Sequence, residues 1–170
     1  MPSRSFPPVV SPHVRLLLLG SLPGRISLAE QRYYANPRNQ FWSLVGALID
    51  QPLPAMDYEE RLATLLAHGI GLWDAIGEAR REGSTDAAIR NAVANPLAER
   101  VASLPMLRAI AFNGAKSAAV GRRALGQTTD AALIDLPSSS PACTIGFDAK
   151  LARWRALTPW LQSGLRKSAQ

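Results

Sequence analysis

Four short stretches of the chain carry residue types that could do chemistry. The first is Gly20-Ser21-Leu22-Pro23-Gly24, directly after the apolar run Val14 to Leu19. Its glycines reach backbone angles closed to other residues and let a ligand approach the main chain, while Pro23 fixes its own φ and withdraws a donor. The second, Tyr33-Tyr34-Ala35-Asn36-Pro37-Arg38-Asn39-Gln40-Phe41-Trp42, sets four aromatics among amides and an arginine, in a chain whose aromatic content is only 6%. Flat rings stack on flat ligands, and an amide such as Asn39 donates to a carbonyl and accepts from water without ionising. The third, Asn113-Gly114-Ala115-Lys116, stands between a strand-like run and a helical one, where a helix N-terminus presents free N–H groups to anions. The fourth is the serine run of Leu136-Pro137-Ser138-Ser139-Ser140-Pro141-Ala142.

Each stretch also has a purely structural reading. GSLPG serves as a strand-to-loop turn, Asn39 falls where a helix N-cap belongs, Lys116 serves as a solvated lysine, and serines between prolines make a rigid turn. Two familiar frames are missing. GSLPG is not the G-x-S-x-G elbow of a serine hydrolase, and neither His13 nor His68 stands in an evident partner position for Ser21. Gly114 and Lys116 lack the upstream glycine of a P-loop.

The elements that must position these residues read as four short apolar strands, each followed by helical sequence. The strands are expected at about Val14 to Leu19, Gly69 to Asp74, Arg108 to Phe112 and Ala131 to Leu136. Apolar residues at Phe41, Leu44, Val45, Leu48 and Ile49 mark one face of a helix over Gln40 to Ile49. Asp57 is a cap candidate for a helix from Tyr58 to Ala67, with Glu60 completing a capping box. Residues 77–95 read as polar and helical in pieces, broken at Gly83-Ser84-Thr85, and Pro96 as the first position of a helix to about Leu104. A last helix, Asp148 to Leu161, is expected to turn Leu151, Trp154, Leu157 and Leu161 inward and Lys150 outward. The pattern is α/β: a three-layer α/β/α sandwich around a four-stranded parallel sheet in a single domain. Residues 14–165 form that domain, and residues 1–13 a proline-rich extended lead-in with no core to bury.

At 170 residues the chain is long enough to bury about 70% of the surface its unfolded form would expose, so neither disulfide nor metal is needed to hold it. The single Cys143 excludes an internal disulfide, and with only two histidines beside it there is no cluster at metal-ligand spacing. Neither metal nor cofactor is expected, nor a leader or membrane span, which makes a soluble cytoplasmic protein the expectation. The formal net charge of +6 is unevenly spread. Residues 1–42 hold 5 Lys or Arg against 1 acid, residues 43–99 hold 4 against 9, and residues 100–170 hold 10 against 3. The candidate motifs thus lie in basic segments, as expected of segments that face a polyanion.

GSLPG followed by YYANPRNQFW and, much later, by LPSSSPA resembles the uracil-DNA glycosylase superfamily, most of all its hypoxanthine-DNA glycosylase branch. The similarity runs from about Leu16 to about Trp160. It implies the strand order 2-1-3-4, with the site at the carboxyl ends of strands one, three and four. The activity implied is that of a monomeric, monofunctional glycosylase. It would flip a deaminated base, hypoxanthine above all, out of DNA and hydrolyse its glycosidic bond to leave an abasic site, with no lyase step. The resemblance assigns Gly20, Ser21, Leu22, Pro23, Tyr34, Asn113 and Leu136 to the base pocket. Tyr34 would stack on the base, with Tyr33 as the fallback. Gly114, Lys116, Pro137, Ser138, Ser139, Ser140 and Pro141 fall to DNA contact, the last four gripping phosphates and wedging the minor groove.

Departures from the wider superfamily matter here. Many relatives orient the water with an Asp or Asn where this chain has Leu22, and polarise the base with a His or Asn where it has Leu136. In the hypoxanthine branch the lost function is assigned to the Asn that matches Asn39. A same-fold enzyme for uracil or another damaged base, or an inactive nucleic-acid-binding module, are the alternatives.

Overall fold

In the computed structural model, residues 2–161 are described. Seven strands run in chain order as β1 Ser3–Arg4, β2 Leu16–Gly20, β3 Ile70–Asp74, β4 Ile76–Arg80, β5 Arg90–Ala94, β6 Ala109–Asn113 and β7 Ala132–Leu136. Seven helices join them: α1 Arg25–Glu30, α2 Phe41–Ile49, α3 Tyr58–Ala67, α4 Leu97–Ala102, α5 Ala115–Leu125, α6 Phe147–Trp154 and α7 Thr158–Leu161. The central sheet is parallel with order β3-β2-β6-β7, which is the order 2-1-3-4 of the four expected strands.

Alternation along these strands builds two cores, because successive side chains leave a strand on opposite faces. Leu16, Leu18, Ile70, Leu72, Ala109 and Ala111 join Phe41, Trp42, Leu44 and Trp154 on one face, where α2 and α6 pack. Leu17, Leu19, Ile110 and Phe112 join Leu97, Val101 and Leu125 on the other, under α4 and α5. Every residue of β2 is buried. At roughly 1.5–3 kcal/mol for each fully buried Leu or Phe side chain, β2 is the strand the fold can least afford to lose.

Three expectations need correction. Residues 77–95 are not helical pieces: β4 and β5 form an antiparallel ribbon with register shifts, and β1 extends it as the order β1-β4-β5. Ile76, Ala79 and Ile89 supply its buried side, whereas all five residues of β5 are exposed and left no apolar period to read. The lead-in is extended but does bury a core. β1 pairs with β4, Val9 bridges Leu72 on the outer edge of β3, and the Phe6 ring meets Tyr33 edge-on at 5.2 Å. Lys150 turns inward, 1% exposed, because it lies one turn before Trp154 on the buried face of α6. The Asp57 cap forms as expected, its Oδ1 accepting the Glu60 N–H at 2.9 Å. The last four residues of the expected domain, 162–165, lie outside the described residues.

Candidate active site

A cavity of about 570 Å³ opens where β2, β3 and β6 end and the loop after β7 begins. Carboxyl ends of parallel strands are where open α/β sheets bind ligands. Gly20, Asp74 and Asn113 form a buried floor, and Arg25, Ile26, Arg38, Ser84, Thr85 and Ala142 an exposed rim.

Gly20 closes β2 in register with Asp74 at the end of β3. A Cβ at Gly20 would stand 2.5 Å from Asp74 Oδ1 and 2.8 Å from Tyr34 Oη, so only glycine lets those two oxygens converge there. The loop that follows is held from the ribbon side. Ser21 Oγ donates to Asp86 Oδ1 at 2.6 Å, the Arg81 guanidinium donates to the Pro23 carbonyl, and the Arg25 N–H donates to Ser84 Oγ at 2.9 Å. Leu22 is buried with Ile76, Ala79 and Ile89, so its position offers the cavity wall no polar group.

Asn113 ties the other wall together. Its Nδ2 donates to Ser139 Oγ at 2.9 Å and to Tyr34 Oη at 3.2 Å, while its Oδ1 accepts the Ser139 N–H at 2.8 Å. Gly114, at φ +103°, lets the backbone pass Ser138, whose Cβ would lie 3.2 Å from a Cβ placed there. Tyr34 sits in the left-handed region at φ +54°. Its ring stacks on Phe41 with centroids 3.9 Å apart and planes 12° from parallel. Burial raises its hydroxyl well above the ordinary tyrosine range, so it stays a neutral donor.

Asn39 is half-buried on the same wall, just before α2, where Gln40 rather than Asn39 is the residue flanking the helix. Its Oδ1 accepts the Phe41 N–H at 3.0 Å, which makes the carbonyl oxygen the cap and leaves the NH₂ group as its donor side. Among the described residues that NH₂ has no protein acceptor.

Gly20, Ser21, Leu22, Pro23, Tyr34, Asn39, Asn113, Ser138, Ser139, Ser140 and Pro141 therefore line one cavity. Other expected residues stand apart. Leu136 is 4% exposed in the core with Phe41 and Trp154 and does not line the cavity, because the pleat at the end of β7 sends it into the sheet's helix-covered face. Gly114, Lys116 and Pro137 also lie outside the lining. Ser139 is fully buried and spends its groups inside the protein, on Asn113 and on the Gln40 N–H, which donates to its carbonyl at 3.0 Å. It is a fastener rather than a phosphate grip. Ser138 and Ser140 hydroxyls accept N–H groups two residues on, from Ser140 and Ala142, and so shape their own turn. Tyr33 is mostly core, its hydroxyl donating to the Pro7 carbonyl at 3.0 Å.

Asp74, Asp86 and Arg81 were not anticipated. Burial first, then Asp86, raise the Asp74 carboxyl to about 7, against the lowering pull of Arg81. The signal available was an acid placed at the very end of an apolar strand, in Leu72-Trp73-Asp74. Among the described residues no group of His, Cys, Asp and Glu could hold a metal ion, and no helix is long and apolar enough to cross a membrane.

Residues 7–161 match the model of the uracil DNA glycosylase superfamily. A hypoxanthine DNA glycosylase of Methanosarcina acetivorans is 39% identical over 159 residues, 92% of this chain and 98% of that protein. One of Methanosarcina barkeri is 38% identical over 117 residues, 69% of this chain and 74% of its own. The solution NMR structure of a Methanosarcina acetivorans protein described as a candidate uracil DNA glycosylase superposes with a TM-score of 0.84 at 38% identity, covering 95% of this chain and 99% of that one.

Proposed function

The chain belongs to the uracil DNA glycosylase superfamily, and from that premise we propose that it excises hypoxanthine from DNA by hydrolysis, leaving an abasic site. Its activity is that of a DNA glycosylase acting on deaminated bases. The observation that carries the proposed chemistry is the divided amide of Asn39, with its oxygen spent on the Phe41 N–H and its NH₂ left to donate into the cavity.

Cleaving a glycosidic bond leaves the sugar cation-like and the departing base anionic, so a fixed donor aimed at the base accelerates the step. Asn39 is proposed to supply it, in a site where Leu22 and Leu136 offer none. The flipped base is proposed to lie on the open face of Tyr34, which Phe41 backs, so that the ring is held without moving a support. Water attacks C1′ and the bond's electron pair leaves with the purine. The proton that water loses passes to solvent, and the purine anion takes one from solvent. Lys116, Ser138, Ser140 and Pro141 are proposed to meet the backbone phosphates, and the protein to act as a cytoplasmic monomer.

The test is single-turnover incubation with duplexes carrying one deoxyinosine, one deoxyuridine or one deoxyxanthosine, followed by alkaline cleavage. Deoxyinosine strands are expected to be cut fastest; faster cutting at uracil, or lesion binding without any cut, would overturn the reading.

A further inference from the structure

Asp74 is 3% exposed on the cavity floor, and its Oδ2 is sealed from solvent with no hydrogen-bond partner. Asp86 accepts from Ser21 and the Asn95 amide donates to the Asp74 backbone oxygen rather than to its carboxyl, while Arg81 donates to the Pro23 carbonyl and keeps its own buried Nε without a partner. No side chain among the described residues donates to the Asp74 carboxyl. A carboxylate has only acceptors, and a buried acceptor without a donor is costly; with Oδ2 closed off, Oδ1 is the oxygen left to accept from a donor on a ligand in the cavity.

Depth decides which part of the ligand that is. A nucleotide flipped from a duplex enters base first, while its C1′ stays near the backbone and therefore near the rim. The water that attacks C1′ is needed there, on the side of Arg38 and Asn39. Asp74 lies instead at the floor, beside Gly20 and the Tyr34 hydroxyl, where the leading edge of a base entering the cavity meets it. A 6-oxopurine carries an N–H at N1 on that edge, whereas adenine carries a lone pair.

We propose that Asp74 is the residue that selects the base, its carboxylate accepting the N1–H of hypoxanthine and repelling the N1 lone pair of adenine. The selection rests on the proposed hypoxanthine activity and adds to it a reason why the undamaged parent base is refused. It also accounts for Gly20, since even a Cβ there would collide with Asp74 Oδ1 and push the carboxyl from its place. The groups that face Asp74 are Asp86 and Arg81 from the ribbon side and the tyrosines Tyr33 and Tyr34, whose hydroxyls stay neutral. With the carboxyl raised to about 7, the accepting form is gained as pH rises through that value. Below it, a protonated Asp74 donates to adenine N1 and selectivity falls.

The experiment measures Kd at pH 5.5 to 8.5 for duplexes bearing one uncleavable 2′-fluoro analogue of deoxyinosine or of deoxyadenosine. Single-turnover excision of deoxyinosine is followed in parallel. Wild-type protein is expected to prefer the inosine analogue, increasingly as pH rises through about 7. Asp74→Leu should lose about tenfold to a hundredfold of that preference, the worth of a hydrogen bond to a charged group. It should raise the thermal midpoint, because it removes a buried carboxyl whose Oδ2 has no donor. Asp74→Asn should keep most of the deoxyinosine excision, since its amide oxygen accepts N1–H, yet show a smaller preference that no longer varies with pH. Wild-type preference and pH profile in either folded variant would overturn the assignment while leaving the activity standing. A wild-type protein that neither cuts deoxyinosine nor binds its analogue above undamaged duplex would overturn the activity itself, and the assignment with it.

Discussion

Asn39 carries two demands on one amide, and they fall on different atoms. Its oxygen caps the start of α2 through the Phe41 N–H, and its NH₂ is the group proposed to meet the base. Aspartate keeps the first and loses the second. Asn39→Asp should therefore hold its thermal midpoint near wild type, because Asp caps a helix as well as Asn, while single-turnover excision of hypoxanthine falls on the order of a hundredfold. Asn39→Ala should lose both, with about 0.5–2 kcal/mol of stability going with the cap. Full-rate excision by Asn39→Asp would leave Asn39 a cap and nothing more. From sequence the two readings of Asn39 could only stand side by side, since residue type does not say which end of an amide faces inward.

Between elements, the decisive contact is the clasp of Asn113 on Ser139, which ties the end of β6 to the loop after β7 and passes on to Tyr34 through one further hydrogen bond. Both clasp bonds are buried, so removing the amide leaves the Ser139 N–H and hydroxyl without partners. Asn113→Ala should cost roughly 2–4 kcal/mol, read from urea unfolding, taking about 1–3 kcal/mol for each buried group left unsatisfied and some relief from relaxation. Retention of full stability would mean that the loop stands without the clasp. The four parallel strands were legible within a residue or two; β2, β3 and β6 are buried on both faces, and such a strand writes itself as a largely apolar run, as Leu16 to Leu19 does. The ribbon of β4 and β5 was not legible, since its exposed strand, Arg90–Ala94, has no apolar side to betray it. That blind spot hid the ribbon's part of the site. Asp86 and Arg81 belong to the ribbon, and Asp74 gains its setting only when the ribbon folds over the Ser21 to Pro23 loop. Leu136 failed for the opposite reason: its motif lies beside the cavity, but the strand pleat turns that one side chain into the core.

At the scale of the molecule, charge and cavity must agree if DNA is to be gripped while one base is drawn in. Residues 1–42 carry 5 basic against 1 acidic side chain and residues 100–170 carry 10 against 3, while the acidic excess falls in residues 43–99. The cavity takes most of its walls from the first two segments and its acids, the buried Asp74 and the half-buried Asp86, from the middle one. Two of the basic residues are already paired, Arg4 with Glu78 and Arg122 with Asp135, whereas Arg25 and Arg38 stand at the rim, exposed. Lys116 follows Gly114 at the start of α5, where the helix's free N–H groups add to its charge. Neutralising even four phosphates predicts a slope of roughly −3 to −4 for log affinity against log salt on duplex DNA. Lys116→Ala should weaken binding to damaged and undamaged duplex alike and make that slope shallower by about 1, because a phosphate contact carries no information about the base. Asp74→Leu should leave the slope unchanged, since a floor residue meets no phosphate. Fluorescence anisotropy from 50 to about 300 mM salt separates the two. A slope near zero in the wild type would contradict an electrostatic grip, and a slope unmoved by Lys116→Ala would take that lysine out of it.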